Sequence, residues 1–341
     1  MTTHLADTRP PVTPAPATRT RRRLPIGGLA ELGPIVALAA LLILFAVIAP
    51  NFFSVFNLTN VVRQVSITAI AGVGMTMIIL VRGIDLSVGS LVALAGSLAA
   101  LSLAGDPTGH TLGGAVVAVL IAVGVGAAVG LVNGALVTVA VVPAFIATLA
   151  TMTAVRGVAL LATDSSPVSI PSGPYLRIGL GNLWGIPVPV IIMGLVFAIG
   201  YLVLHRMKIG RRIYAVGGNP EAARLSGVRV NRVLMFVYVF GGICMAISAV
   251  ILSSRLSSGQ PAGSVGLELD VIAAVVVGGT SLFGGRGRLA GTFFGALLIG
   301  SLVNGLQLLN VPDYWQRIVT GGVIVAAVVL DRLVRRDRSP A

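Results

Sequence analysis

Long apolar runs alternate along this chain with short polar or basic breaks, and within the runs there is no period-two alternation. They cover 32–49, 61–81, 88–104, 112–139, 144–162, 188–205, 233–253, 269–282, 289–309 and 317–333. A helix needs roughly twenty apolar residues to cross hydrocarbon, so the pattern predicts about ten transmembrane helices, the eighth a short one. Barrel strands would be about half as long and alternating. Lipid offers no partner to open backbone, which leaves an all-α integral membrane protein as the expected fold class. The first run suits an uncleaved span better than the shorter core of a signal peptide.

Composition sharpens this picture. Hydrophobic residues make up 56% of the 341 and charged residues 10%, with mean hydropathy +0.98, which excludes a water-soluble globular domain. The 43 glycines suit helices that approach closely through small faces. The net charge of +13 would be compatible with a nucleic-acid binder, but its placement speaks for topology and no nucleic-acid partner. With the N-terminus inside, all 24 Lys and Arg except Arg63, Arg156, Arg177, Arg255 and Arg317 fall in cytoplasmic segments. The opposite side carries Asp106, Asp164, Glu268, Asp270 and Asp313, and its longest loop, 163–187, is a candidate contact for an external partner. The expected organisation is a disordered basic cytoplasmic tail over 1–30, a transmembrane domain over 31–334, and a cytoplasmic tail over 335–341. The stretch from Val81 (VRGIDLSVGSLVALAGSLAA) echoes that from Val277 (VGGTSLFGGRGRLAGTFFGAL), which suggests an internal repeat. The lone Cys244 sits in an apolar run and reads as a packing residue.

The loop 206–232 is longer than a connection requires and holds seven of the basic residues. Within it Asn219 can cap a helix, Pro220 suits its first turn, Glu221 complements the positive helix end, Ala222 and Ala223 extend it, and Gly227 can end it. The bland reading is a surface helix; the basic context favours docking onto a cytoplasmic partner.

Gly83, Asp85, Ser87 and Gly89 form a turn between two runs. Asp85 or Ser87 can cap the following helix, or the acidic residue can serve gating. The glycine-rich 281–288 turn lacks the Lys-Ser/Thr pair of a nucleotide loop. Gln64, Asn133, Thr148, Thr151, Thr153, Asn304 and Gln307 are polar residues inside spans, open to interhelical bonding or to lining a path for a neutral polar solute. Phe145 and Trp315 could stack on a sugar ring or anchor the membrane interface. His4, His110 and His205 are scattered and show no metal-ligand spacing. No carboxylate pair lies mid-span, so energy for uphill transport is expected from another subunit.

Taken together, GIDLSVGS from Gly83, VPAFIATLATMTAVRGVALL from Val142, YAVGGNPEAARLSGV from Tyr214 and VVVGGTSLFGGRGRLAGTFFGALLIG from Val275 resemble the permease subunits of ribose-type bacterial ATP-binding-cassette importers. The resemblance covers most of the chain beyond its N-terminal tail. It implies an importer-permease architecture in the cytoplasmic membrane with both termini inside, as a homodimer or paired with a sister permease. It also implies a separate cytoplasmic ATPase subunit that binds ATP and Mg, a periplasmic or lipid-anchored solute-binding protein, and no cofactor on this chain. The implied solute is a monosaccharide or related polyol. Asn219, Pro220, Glu221, Ala222, Ala223 and Gly227 would be the helix that docks the ATPase. The isoleucine and Leu-Pro of the broader importer motif are absent after Gly227. The alternatives are an ion-coupled secondary transporter, a permease for a branched-chain amino acid or signalling sugar derivative, and an integral-membrane transferase. The last would want clustered Asp, His or metal ligands.

Overall fold

A computed structural model describes residues 26–104, 111–170 and 173–336. The predicted tail 1–30 therefore lies outside the described residues except for 26–30, which belong to the first helix. Asp106 and residues 337–341 also lie outside them.

Thirteen helices are described: α1 (Ile26–Ile48), α2 (Val55–Leu80), α3 (Val88–Ala104), α4 (Leu112–Thr138), α5 (Ala144–Ala162), α6 (Leu176–Leu180), α7 (Val188–Tyr201), α8 (Lys208–Gly218), α9 (Pro220–Leu225), α10 (Val230–Leu256), α11 (Leu267–Val277), α12 (Leu289–Leu308) and α13 (Asp313–Arg336). A π-helical turn, Leu202–Arg206, extends α7. Each predicted run falls on a helix, but the ends move for local reasons. The Ser54 hydroxyl accepts from the Asn57 amide, so α2 starts six residues ahead of its run.

Among the described residues, six helices are long and apolar enough to cross a membrane: α2, α4, α5, α7 with its π turn, α10 and α12. The remaining runs fall short of that criterion. The apolar part of α1, α3 and α11 are shorter, and α13 carries charged residues at both ends. The chain is a multi-pass membrane protein.

The bundle is built around α10, which packs on α2, α3 and α4. It crosses α4 so closely that a Cβ on Gly126 would lie 2.4 Å from the Gly242 carbonyl oxygen, a contact only glycine permits. The 163–187 loop is folded rather than loose. Its strand β1 (Val168–Ser169) pairs antiparallel with β4 (Ser258–Gly259), and β2 (Asn182–Leu183) pairs with β3 (Ile186–Pro187). Trp184 and Gly185, both at positive φ, make the tight turn of that hairpin and leave the indole exposed.

Beyond α10 the chain does not simply turn back. A Cβ on Gly259 would lie 2.6 Å from the Ser97 Cα, while one on Gly89 would lie 2.3 Å from the Ser264 carbonyl oxygen. The segment 259–264 thus runs alongside α3 from its middle, at Gly96–Ala100, to its first turn, and α11 begins only after it. The sequence pattern predicts only a connection between the runs 233–253 and 269–282, not an irregular segment packed along α3. Its backbone is held by cations: the Arg156 guanidinium donates to the Pro261 and Gly263 carbonyls at 2.7 Å each, and Arg317 reaches the Val265 carbonyl at 3.4 Å. At the other end Gly278 abuts Gly291, stopping α11 at Val277, five residues short of the predicted run.

Candidate coupling and translocation site

In the 206–232 loop, Asn219 takes an extended conformation and its Oδ1 accepts from the backbone amides of Glu221 (3.0 Å) and Ala222 (3.1 Å). Two of the amides that a helix start leaves open are thereby engaged. Pro220 occupies the first helical position. The end is closed by the Gly227 amide on the Arg224 carbonyl and the Val228 amide on that of Ala223, with Gly227 at φ +80°. Ala223 is buried against the protein, whereas Leu225 is 83% exposed. Glu221 and Arg224 form a 3.6 Å pair of exposed side chains, which adds little stability. The loop therefore presents a short, doubly capped helix with one face seated and a mixed charged and apolar face free.

That helix is tied to the bundle. In α8, Ile213 and Val216 are buried, and the Tyr214 hydroxyl donates to the Gly287 carbonyl at 2.9 Å. Burial pushes the Tyr214 phenol up, with the Arg288 charge opposing, so it stays a neutral donor. Arg82, at φ +67°, donates from Nε to the Gly217 carbonyl (2.8 Å) and from Nη2 to that of Gly218. The Gly285 amide donates to the Leu80 carbonyl at 2.8 Å. The end of α2, the end of α8 and the 281–288 turn are consequently one hydrogen-bonded cluster, which joins both stretches of the internal echo to the loop. The Gly284 amide is engaged too, by Ser281, so these amides are not arranged to cradle a phosphate.

The Gly83–Gly89 turn is interior. Asp85 is 1% exposed, and its Oδ1 accepts from the Ser87 amide (2.8 Å) and hydroxyl (2.6 Å). Asn133 Nδ2 reaches Ser87 Oγ at 3.0 Å and Asp85 Oδ2 at 3.4 Å, while the Thr148 hydroxyl donates to the Ile84 carbonyl at 3.0 Å. The carboxylate thus organises the turn by accepting from Ser87 rather than capping α3 directly. Asp85→Leu would strip the buried Ser87 amide and hydroxyl of their acceptor and leave Asn133 Nδ2 only Ser87 Oγ, at about 1–3 kcal/mol for each group left unsatisfied. Asp85→Asn keeps an oxygen in place. The Leu variant is expected to unfold in detergent at a clearly lower temperature than the Asn variant; equal melting temperatures would refute this role.

A cavity of about 710 Å³ opens between α2, α3, α10, the 258–266 segment, α11 and the end of α12. Its polar lining includes Gln64, Thr68, Arg255, Gln260, Asp270 and Gln307. Of the polar span residues open to lining a path, Gln64 and Gln307 do so. Asn133 and Thr148 join the Asp85 network, and Asn304 is paired with Asn57 by two reciprocal amide bonds of 2.9 Å. Phe145 lies exposed on α5 and Trp315 on α13, both away from the cavity. Arg156, Arg255 and Asp270 carried only a topological meaning in the sequence, although ionisable residues within an apolar chain are a general signal of function.

The family described as the permease component of branched-chain amino acid transport systems matches residues 57–328. The chain belongs to this permease family. It is 46% identical to the Ribose import permease protein RbsC of Escherichia coli K12, over 91% of this chain and 96% of that one. It is 45% identical to the protein of the same name from Bacillus subtilis 168, over 90% and 94%, and 39% identical to the D-allose transport system permease protein AlsC of E. coli K12, over 89% and 92%. No solved structure matches. The chain is therefore a transport component and not an enzyme, and the loop and cavity above are features of a permease.

Proposed function

We propose that this chain is the membrane-spanning subunit of an ATP-driven importer for a monosaccharide of the ribose type or a related polyol. The observation that carries the solute class is the 46% identity to a ribose import permease across 91% of the chain. In this reading about ten helices span the cytoplasmic membrane, both termini are cytoplasmic, and two permease chains form the pore. The α9 helix, with Asn219, Pro220, Glu221, Ala222, Ala223 and Gly227, docks a separate ATPase that holds ATP and Mg, and a solute-binding protein delivers cargo on the opposite side. Closure of the ATPase pair pushes α9. Through the Arg82, Tyr214 and Gly285 contacts the push reaches the ends of α2 and α12, and the spans alternate their access. The Gly83, Asp85, Ser87 and Gly89 turn, braced by Asn133 and Thr148, is a rigid pivot in that movement.

The test is purification of the tagged full-length chain with its partners, followed by ATPase assays with candidate binding proteins. Recovery of an ATP-binding-cassette subunit, stimulated by a sugar-loaded binding protein, is expected. Stimulation only by a binding protein loaded with branched-chain amino acid would shift the solute class to the one named in the family's description. Recovery of the chain alone, with uptake that needs only an ion gradient, would overturn the importer reading.

A further inference from the structure

The α10 helix of 27 residues is about 40 Å long. Arg255 in its last turn therefore places the 710 Å³ cavity at the opposite end of the bundle from α9. That volume is in the range of small-molecule sites. One wall is the irregular 258–266 segment, whose carbonyls are taken up by Arg156 and Arg317. Non-helical backbone at membrane depth is tolerated where it is packed in protein or lines a polar cavity, and interrupted helices are a common way for transporters to build a solute site.

The lining has a definite chemistry. Among the described residues, the side chains of Gln64, Arg255, Asp270 and Gln307 have no hydrogen-bond partner in the protein, although all four face this one cavity. Elsewhere in the spans the Asn57 and Asn304 amides are paired with each other, and single buried atoms such as Asn133 Oδ1 and the Tyr238 hydroxyl lack a partner, but the four side chains above share one cavity. Arg255 and Asp270 offset each other in charge. The glutamine amides each offer donor and acceptor groups, as a sugar hydroxyl does. Ile67, Val92 and Leu252 supply apolar wall for the C–H faces of such a ligand.

We infer that this cavity is a transit site for one neutral, polyhydroxylated solute of monosaccharide size, hydrogen-bonded by Gln64, Arg255, Asp270 and Gln307, so that the permease itself contributes to selectivity. The inference rests on the transport function proposed above and adds to it a site and a source of discrimination beyond the solute-binding protein.

Two measurements test it. In proteoliposomes holding the complete importer, Gln64→Leu and Gln307→Leu are expected to lower kcat/KM for sugar uptake by roughly 10-fold or more and to change the ranking of epimeric monosaccharides. The amount of ATPase subunit that co-purifies with each variant should match wild type, because α9 is untouched. In the purified full-length permease, Thr68→Cys introduces a thiol at the cavity; the single native thiol, Cys244, is buried. Its labelling by a small water-soluble maleimide should slow several-fold in millimolar transported sugar and be unaffected by branched-chain amino acids. Unchanged ranking together with absent protection would overturn the site, and protection by amino acids alone would overturn its ligand class. A wild-type importer that moves no monosaccharide would instead overturn the transport reading itself.

Discussion

A chain carrying Glu221→Lys together with Gly227→Asp is expected to reach the membrane at wild-type abundance and to lose uptake by about 100-fold. Both positions are exposed, one on α9 and one at the turn that ends it, in the element proposed to dock the ATPase. A side chain at Gly227 meets nothing within 4 Å, although its φ of +80° costs a non-glycine residue about 1–2 kcal/mol locally. The lysine replaces the carboxylate 3.6 Å from Arg224 by a second cation, and it reverses the charge offered at the N-terminal turn of α9. Like-charge contacts at an interface cost several kcal/mol, and about 3 kcal/mol corresponds to the stated fall in complex formation. The spans hold neither residue, so insertion is preserved. Uptake and co-purified ATPase, each normalised to the amount of permease in the membrane, check the expectation. Full uptake with a normal complement of ATPase would exclude α9 as the coupling element.

The parts of the fold that were legible in the sequence are those set by local or one-body physics. An apolar run must be helical in lipid, and the ends predicted for the third and fifth runs coincide with α3 and α5. Capping depends on residues within one turn of each other, and Asn219, Pro220 and Gly227 act as their types predict. The packing of the segment between α10 and α11 was not legible. The segment SGQPAGSVG has the Ser, Gly and Pro content of any surface connection, and nothing local says that it lies along α3 rather than outside the bundle. Its depth depends on Arg156, more than a hundred residues earlier, which by sequence alone is a positive charge in a span. The same holds for Arg82, whose bonds to Gly217 and Gly218 join distant segments. Polar span residues divide for a related reason. Whether an amide faces a neighbouring helix, as with Asn304 and Asn57, or a cavity, as with Gln64, is decided by packing between helices.

The contact between α8 and α2 predicts the largest loss of stability. A Cβ on Gly217 would lie 1.8 Å from the Leu80 carbonyl oxygen and 2.6 Å from the Gly285 nitrogen. Both neighbours are backbone, so no rotamer change relieves the clash, and the Leu80–Gly285 and Arg82–Gly217 bonds must break or the two elements must part. Overpacking typically costs 1–3 kcal/mol where side chains can adjust. Without that escape, Gly217→Val should cost at least about 3 kcal/mol, a large share of the roughly 5–15 kcal/mol that holds a folded protein. The adjacent Gly218 gives the control, since a Cβ there meets nothing within 4 Å and its φ is not in the left-handed region. Gly218→Ala should therefore match wild type in membrane abundance and melting temperature, while Gly217→Val falls several-fold in abundance and melts well below it. Similar behaviour of the two variants would mean that α8 does not seat on the end of α2. In that case a push on α9 would have no rigid route into the spans, and the coupling mechanism would need a different first contact.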